Sequence, residues 1–239
     1  MSKGILIKVI TTPLLIFLLL VELNYKPLQA AGLTDDPYIW TDIRQLGVQG
    51  RGWDDGGQYF YRLPAKAQTM VRQPVWNLAS HTAGMYVRFI TDATSIKASW
   101  RLTSNNLSMA HFSATGVSGI DLYVKMPDDS WHWLGIGKPT NTLNTATLAE
   151  GLKEGKREYM LYLPLYNGIH YVKIGIPENS TIRGVTPDKR KPIVFYGTSI
   201  IQGGCASRPG MCSTAILGRR LNREIINLGF SGNGRMELE

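Results

Sequence analysis

Short apolar runs with an alternating pattern recur between turn residues over about residues 34–177. An alternation of period two places one face of a strand against a core and the other face towards solvent. Runs of this kind occupy residues 59–61, 85–90, 96–100, 120–124, 160–163 and 171–176. Many short strands separated by turns are typical of a β-sandwich, so residues 31–180 are predicted to form a jelly-roll-like β-sandwich domain.

The pattern changes after residue 180. Residues 186–192 are polar with a proline near each end, and residues 181–191 are predicted to be a linker. An apolar run at 193–196 then predicts a buried strand, residues 211–221 a helix, and residues 224–228 a second strand. The predicted helix has Met211, Ala215, Leu217 and Leu221 available for its buried side. This order forms a βαβ unit, so residues 192–239 are predicted to begin an α/β domain.

The first thirty residues carry the features of a signal peptide rather than of a fold. Lys3 and Lys8 precede an apolar stretch at 10–21, and small residues follow at 28–31. This pattern predicts a secretory signal peptide over residues 1–30, with an uncleaved membrane anchor as the alternative. The apolar stretch is shorter than the ~20 residues of a spanning helix, which favours cleavage. We therefore expect an exported protein, periplasmic or secreted, that meets the membrane only during export.

The net charge does not indicate a nucleic-acid-binding protein. It is +8 for the whole chain and falls to +6 without residues 1–30, which hold three lysines and one glutamate. Most of the remaining basic residues are scattered, whereas nucleic-acid binding usually requires a clustered stripe or a known module. We expect no nucleic-acid partner.

Two cysteines, Cys205 and Cys212, are the only ones in the chain. A disulfide between them would close a small loop, and two unpaired thiols are the alternative, since the sequence does not fix the Cα separation that a bridge requires. Two cysteines without a nearby histidine do not make a zinc site, so no metal is predicted.

Two glycine-containing loops follow the two strands of the predicted α/β domain. Residues 197–200 (Gly-Thr-Ser-Ile) come directly after the first strand, and residues 227–234 (Asn-Leu-Gly-Phe-Ser-Gly-Asn-Gly) come at the end of the second. Loops after parallel strands meet at one edge of the sheet, where ligands bind. A serine on one loop and free N–H groups on the other would suit a nucleophile with an oxyanion hole. Two ordinary strand-to-helix turns are the alternative.

Residues 192–210 resemble the first conserved block of the SGNH (GDSL-type) hydrolases. The closest resemblance is to the bacterial branch that carries an N-terminal β-sandwich, because residues 119–123 (Gly-Ile-Asp-Leu-Tyr) match the GxDLY signature of that domain. Residues 62–67, 71–76 and 157–164 are also similar to its sequence. The resemblance implies that the α/β domain is a flavodoxin-like SGNH hydrolase domain, which needs neither a metal nor an organic cofactor.

The resemblance also implies site residues. Ser199 matches the family nucleophile, and the N–H groups of Ser199 and Gly232 match two donors of the oxyanion hole. Thr198 stands where the broader superfamily has Asp. The family's third-block Asn is expected after a later strand and its Asp-x-x-His pair near the C-terminus, and the given sequence ends seven residues after Gly232, before either. A serine hydroxyl without an adjacent base is a weak nucleophile, so the chain as given is expected to be nearly inactive.

The β-domain holds further polar residues that bear on the same chemistry. The four histidines, His81, His111, His132 and His170, are expected to have surface or packing roles, although His81 could face the second domain. For Asp121 of the GxDLY signature the alternatives are a sugar or domain-interface contact and a strand aspartate that bonds a turn backbone. The second alternative is favoured, since Ile120 and Leu122 have the pattern of strand core.

These features together predict an exported serine esterase that hydrolyses small acyl esters, with acetyl groups on carbohydrate among the candidate substrates. The alternative is a non-catalytic carbohydrate-binding or interaction β-sandwich with a vestigial hydrolase segment.

Overall fold

Most strands of the protein belong to two antiparallel sheets in the first three quarters of the chain. A computed structural model describes residues 37–55 and 57–237, and the predicted signal peptide lies outside these residues. The first sheet has the order β1–β9–β4–β7. Its strands are β1 (Tyr38–Asp42), β4 (Ile96–Leu102), β7 (Leu143–Ala149) and β9 (Ile169–Pro177).

The second sheet has the order β10–β3–β8–β5–β6, with β2 paired to β3. Its strands are β2 (Val48–Gln49), β3 (Tyr86–Thr91), β5 (Ile120–Lys125), β6 (Trp131–Gly137), β8 (Arg157–Tyr162) and β10 (Ile182–Gly184). We call residues 38–184 the β-region. β10 lies inside the predicted linker 181–191, so the first part of that segment is a paired strand.

Apolar side chains of both sheets share one core. Trp100 and Ile174 of the first sheet and Phe89, Tyr159 and Leu161 of the second are fully buried members of it. Burying one such side chain stabilises a fold by roughly 1.5–3 kcal/mol. The alternation of buried and less buried residues along β4 is the period-two pattern expected for a strand with one face in a core. The protein is thus mostly β-structure, with several sheets.

Three short α-helices and one 3₁₀ helix accompany the β-region: α1 (Ile43–Leu46), α2 (Gln73–Ala79), α3 (Ala114–Val117) and the 3₁₀ helix Ala65–Thr69. The sequence pattern did not predict α2. It spans seven residues, starts with a proline in its first turn and buries Val75, Trp76 and Ala79. Such a helix is too short for a helical period to stand out. Residues 59–61, predicted as a strand, form a turn instead.

The remaining described residues form the α/β segment, residues 190–237. Its elements are β11 (Ile193–Gly197), α4 (Ser199–Gln202), α5 (Ser213–Leu221) and β12 (Ile225–Gly229). β11 and β12 pair in parallel, as a βαβ unit requires. Of the residues predicted for the buried side of the helix, only Ala215 is buried. Met211 and Leu221 are exposed, and Leu217 is half-buried. Thr214, which was not predicted to be buried, is buried. The division into a sandwich and a flavodoxin-like domain stays a prediction.

Candidate active site

Ser199 is the first residue of α4, and only Thr198 separates it from Gly197, the last residue of β11. The turn is compact, because the Ser199 carbonyl accepts N–H bonds from Gly203, at 3.0 Å, and from Gly204, at 2.7 Å. Gly203 has the left-handed φ of +105° that ends α4. The N–H groups in the first turn of a helix have no acceptor within it, so the Ser199 N–H is available to another group.

The loop after β12, residues 229–234, packs directly on the Ser199 turn. The Phe230 N–H donates to the Gly197 carbonyl at 2.8 Å. A Cβ on Gly229 would lie 2.1 Å from the Gln202 nitrogen, and one on Gly234 would lie 2.1 Å from the Gly197 oxygen. Only glycine permits such an approach of two backbones. The structure therefore brings the two glycine-containing loops together, as expected for the carboxyl ends of neighbouring parallel strands.

Gly232 lies at the tip of this second loop. Its φ of +69° is in the left-handed region, and a Cβ built on it would meet none of the described atoms within 4 Å. No described residue accepts a hydrogen bond from its N–H. The amide is thus unused within the described chain, on a loop bonded to the Ser199 turn. The roles of Ser199 and Gly232 as nucleophile and oxyanion donors stay predictions.

Gln202 connects the two loops to the β-region. It is fully buried, and its Oε1 accepts the Ser231 N–H at 2.9 Å. Its Nε2 lies 3.1 Å from His81 Nδ1 and donates to the Leu165 carbonyl at 3.2 Å. One amide side chain therefore holds α4, the second loop and two segments of the β-region in a fixed relation.

His81 does face the α/β segment, but it contacts Gln202. Burial, and then the nearby Arg62 cation, lower the pKa of His81 to about 4, so it is neutral at pH 7. The Gln202 amide donates, so His81 Nδ1 accepts and the proton resides on Nε2. This bond occupies the nitrogen that could otherwise take a proton, and the lowered pKa makes the ring a weak base.

Arg62 is a second buried contact that the sequence pattern did not single out. It is 1% exposed, and its guanidinium donates to the carbonyls of Leu78 and His81 in the β-region and of Asn227 and Gly229 in the α/β segment. Its Cζ lies 4.9 Å from the centre of the Phe230 ring. In the sequence, only its position in residues 62–67, which are similar to the GxDLY family, pointed to a role for Arg62.

Asp121 of the GxDLY signature also joins the two parts. Its fully buried carboxylate accepts the Gly210 N–H at 2.9 Å and the Trp133 indole N–H at 2.8 Å, with Arg208 Nε at 3.4 Å. It therefore does bond a turn backbone, as the favoured alternative states, but the turn belongs to the α/β segment. Both weighed roles, turn bonding and interface contact, are combined in this residue.

The remaining predictions concern cysteines and metals. Cys205 is an exposed free thiol and Cys212 is a buried one. The two cysteines are therefore unpaired in the structure, which is the second of the two alternatives. Burial raises the pKa of the Cys212 thiol, which makes it less reactive.

Among residues 37–55 and 57–237 no group of three or more His, Cys, Asp or Glu side chains could hold a metal ion. No helix in this part of the chain is long and apolar enough to cross a membrane.

Comparison with known proteins identifies the family. Residues 38–182 match a family model described as GxDLY, the N-terminus of SGNH hydrolase-type esterases, and residues 190–239 match the GDSL-like lipase/acylhydrolase family. No curated protein matches.

Two solved structures show the same fold over most of the chain. The first is of a protein named as a GDSL-like lipase from Bacteroides ovatus ATCC 8483; it is 33% identical, with a TM-score of 0.79 over 84% of this chain and 58% of that one. The salicylyl-acyltransferase SsfX3 from a tetracycline biosynthetic pathway is 13% identical, with a TM-score of 0.61 over 83% of this chain and 56% of that one. The chain thus spans somewhat more than half the length of these relatives.

Proposed function

The chain belongs to the SGNH hydrolase-type esterases that carry an N-terminal GxDLY domain, and from this premise we propose that it is part of an exported serine esterase. The observation that carries the proposal is the contact between the Ser199 turn and the Gly232 loop through the 2.8 Å bond from Phe230 to Gly197. This contact places a hydroxyl and an unused N–H on adjoining loops at one edge of a parallel pair.

In the proposed reaction Ser199 Oγ attacks the carbonyl carbon of an ester while its proton passes to a base. The carbonyl oxygen becomes an oxyanion, which the N–H groups of Ser199 and Gly232 stabilise. Collapse breaks the ester C–O bond, the alcohol leaves with a proton, and an acyl-serine remains. Water then hydrolyses the acyl-serine, releasing the acid and restoring Ser199.

The base is expected from an Asp-x-x-His pair that follows the Gly232 block, and residues 233–239 contain no such pair. His81 is a poor substitute, since its Nδ1 accepts from Gln202 and burial lowers its pKa. We propose small acyl esters as substrates, with acetyl groups on carbohydrate among them. Export by the predicted signal peptide is part of the same proposal.

The test compares p-nitrophenyl acetate turnover by wild type and Ser199→Ala, in this chain and in the protein encoded by the whole reading frame. Turnover is expected to be near background in this chain. If the reading frame continues into an Asn block and an Asp-x-x-His, Ser199→Ala is expected to lower kcat by at least about 10³-fold in that protein.

Ser80→Ala is a matched control, since this serine lies just after α2 and only bonds the Asn77 carbonyl. It is expected to keep wild-type turnover. In the protein of the whole reading frame, equal rates above background for Ser199→Ala and wild type would exclude Ser199 as the nucleophile, and background rates for both would favour a binding module.

A further inference from the structure

Arg62 belongs to the β-region but divides its hydrogen bonds between the two parts of the molecule. Its Nε donates to the His81 carbonyl at 2.8 Å, and its Nη2 to the Leu78 carbonyl at 2.7 Å. Its Nη1 donates to the carbonyls of Asn227, at 3.1 Å, and Gly229, at 2.6 Å. The first two carbonyls lie at the end of α2, and the other two lie at the end of β12.

The charge of Arg62 is costly at this position. Burial lowers the pKa of its guanidinium to about 9, and no carboxylate of the described chain forms an ion pair with it. An apolar side chain of similar volume would fill the same space without that penalty. The planar guanidinium supplies something that an apolar residue cannot, namely a rigid set of donors that binds carbonyls in two directions at once.

Two of the carbonyls that Arg62 binds lie where β12 joins the loop that carries Gly232. Asn227 and Gly229 are the third and the last residue of β12, so fixing both sets the direction in which the chain leaves the strand. Gln202 holds the next part of the loop through the Ser231 N–H, and Arg72 holds Asn233 Oδ1 at 3.0 Å. The Gly232 amide therefore lies between anchors, and two of the anchoring side chains, Arg62 and Arg72, come from the β-region.

We propose that Arg62 is a positioning residue for the oxyanion hole, through which the β-region fixes the Gly232 N–H relative to Ser199. The proposal rests on the proposed function. Arg62 does not touch substrate; it acts by holding the carbonyls of Asn227 and Gly229. The β-region is then a working part of the active site.

The first arm of the test measures hydrogen exchange by mass spectrometry in this chain, for wild type, Arg62→Met and Arg62→Lys. Methionine keeps the volume without the donors, and lysine keeps a charge without the planar fork. Exchange of residues 230–234 is expected to become about tenfold faster in Arg62→Met and less so in Arg62→Lys, because hydrogen bonds that hold the loop are lost. Strand β9 serves as the internal check that the β-region remains folded.

Arg157→Met is the matched control, because Arg157 also donates to main-chain carbonyls, those of Lys153, Glu154 and Gly155, but all lie within the β-region. It is expected to leave exchange of 230–234 unchanged. If residues 230–234 exchange at the wild-type rate in both Arg62 variants, the proposal is overturned. If Arg62→Met does not fold, Arg62→Lys decides on the same criterion.

The second arm uses p-nitrophenyl acetate and the protein of the whole reading frame. Misplacing one oxyanion donor is expected to lower kcat roughly 10–100-fold with little change in KM, since the donor acts mainly in the transition state. An unchanged kcat in Arg62→Met, with turnover that Ser199→Ala abolishes, would also overturn the proposal. Turnover that survives Ser199→Ala would instead overturn the proposed function, and the exchange result would still decide whether Arg62 holds the loop.

Discussion

Two buried charged side chains of the β-region, Arg62 and Asp121, bind backbone groups of the α/β segment. Arg62 supplies donors to carbonyls at the end of β12, and Asp121 supplies acceptors to the N–H of Gly210. Both residues lie in stretches that resemble the family. Their partners, however, are about 90 to 170 residues away, and local sequence patterns do not encode which distant backbone group a buried charge will meet.

Asp121 should make stability depend on pH. Burial raises its pKa from 3.8 to about 6, against the opposing effects of Gly210, Arg208 and Trp133. The folded protein then binds more protons than the unfolded protein between these values. This group's contribution to stability is therefore full below about pH 4 and is lost as the pH rises through about 6.

Asp121→Asn removes this titration. We expect the unfolding free energy of wild type, minus that of Asp121→Asn, to fall by about 2 kcal/mol between pH 4 and pH 6, as urea denaturation would measure. Asp92→Asn is the control, because hydrogen bonds from Thr181 lower the pKa of that exposed carboxyl. The stability that Asp92 contributes therefore changes with pH only at or below about its ordinary pKa of 3.8. A difference that stays constant or increases over pH 4–6 for Asp121 would contradict the assignment.

At the scale of elements, the contact between α4 and the loop after β12 depends on glycine. The missing Cβ of Gly229 would lie 2.1 Å from the Gln202 nitrogen and 2.6 Å from its Cα, and both are backbone atoms that cannot rotate away. The loops can adjoin only if one of them has no side chain at this point.

Gly229→Ala is expected to force the two loops apart and to destabilise the protein by roughly 1–3 kcal/mol, because the added methyl overpacks rigid backbone. Gly52→Ala is the matched control, since its Cβ would make an ordinary 3.4 Å contact with the Ile226 side chain. Thermal denaturation of both variants measures the effect. The same melting temperature for the two would show that the backbone contact is not as close as described.

The sequence predicted many of the elements but not their boundaries or all their faces. Alternating runs coincide with β3, β4, β5, β8 and β9. A strand with one face in the core has apolar residues at every second position, and this pattern is visible in the sequence. The seven-residue helix α2 left no such period. The buried side of α5 was predicted mainly from apolar residues, whereas the structure buries Thr214, which accepts a hydrogen bond from the Asn227 amide. Packing against β12 decides that face.

At the scale of the molecule, the described residues form one compact unit that contains both the β-region and the α/β segment. The order of motifs along the chain was sufficient to predict the family, because several short motifs in a fixed order are far more specific than one. The same motifs pointed to Ser199 and Gly232 as candidates. The Gln202, His81 and Arg62 contacts could not be predicted, since they exist only once the β-region and the α/β segment have packed together.

In the proposed function Ser199 is a nucleophile held beside an oxyanion donor. The most direct measurement mixes the protein of the whole reading frame with p-nitrophenyl acetate, quenches it in acid during turnover, and locates the acyl group by peptide mass spectrometry. We expect one acetyl group on the peptide that contains Ser199, absent from Ser199→Ala and from acid-denatured protein treated identically. Continued turnover with the acetyl group on another residue would contradict the claim.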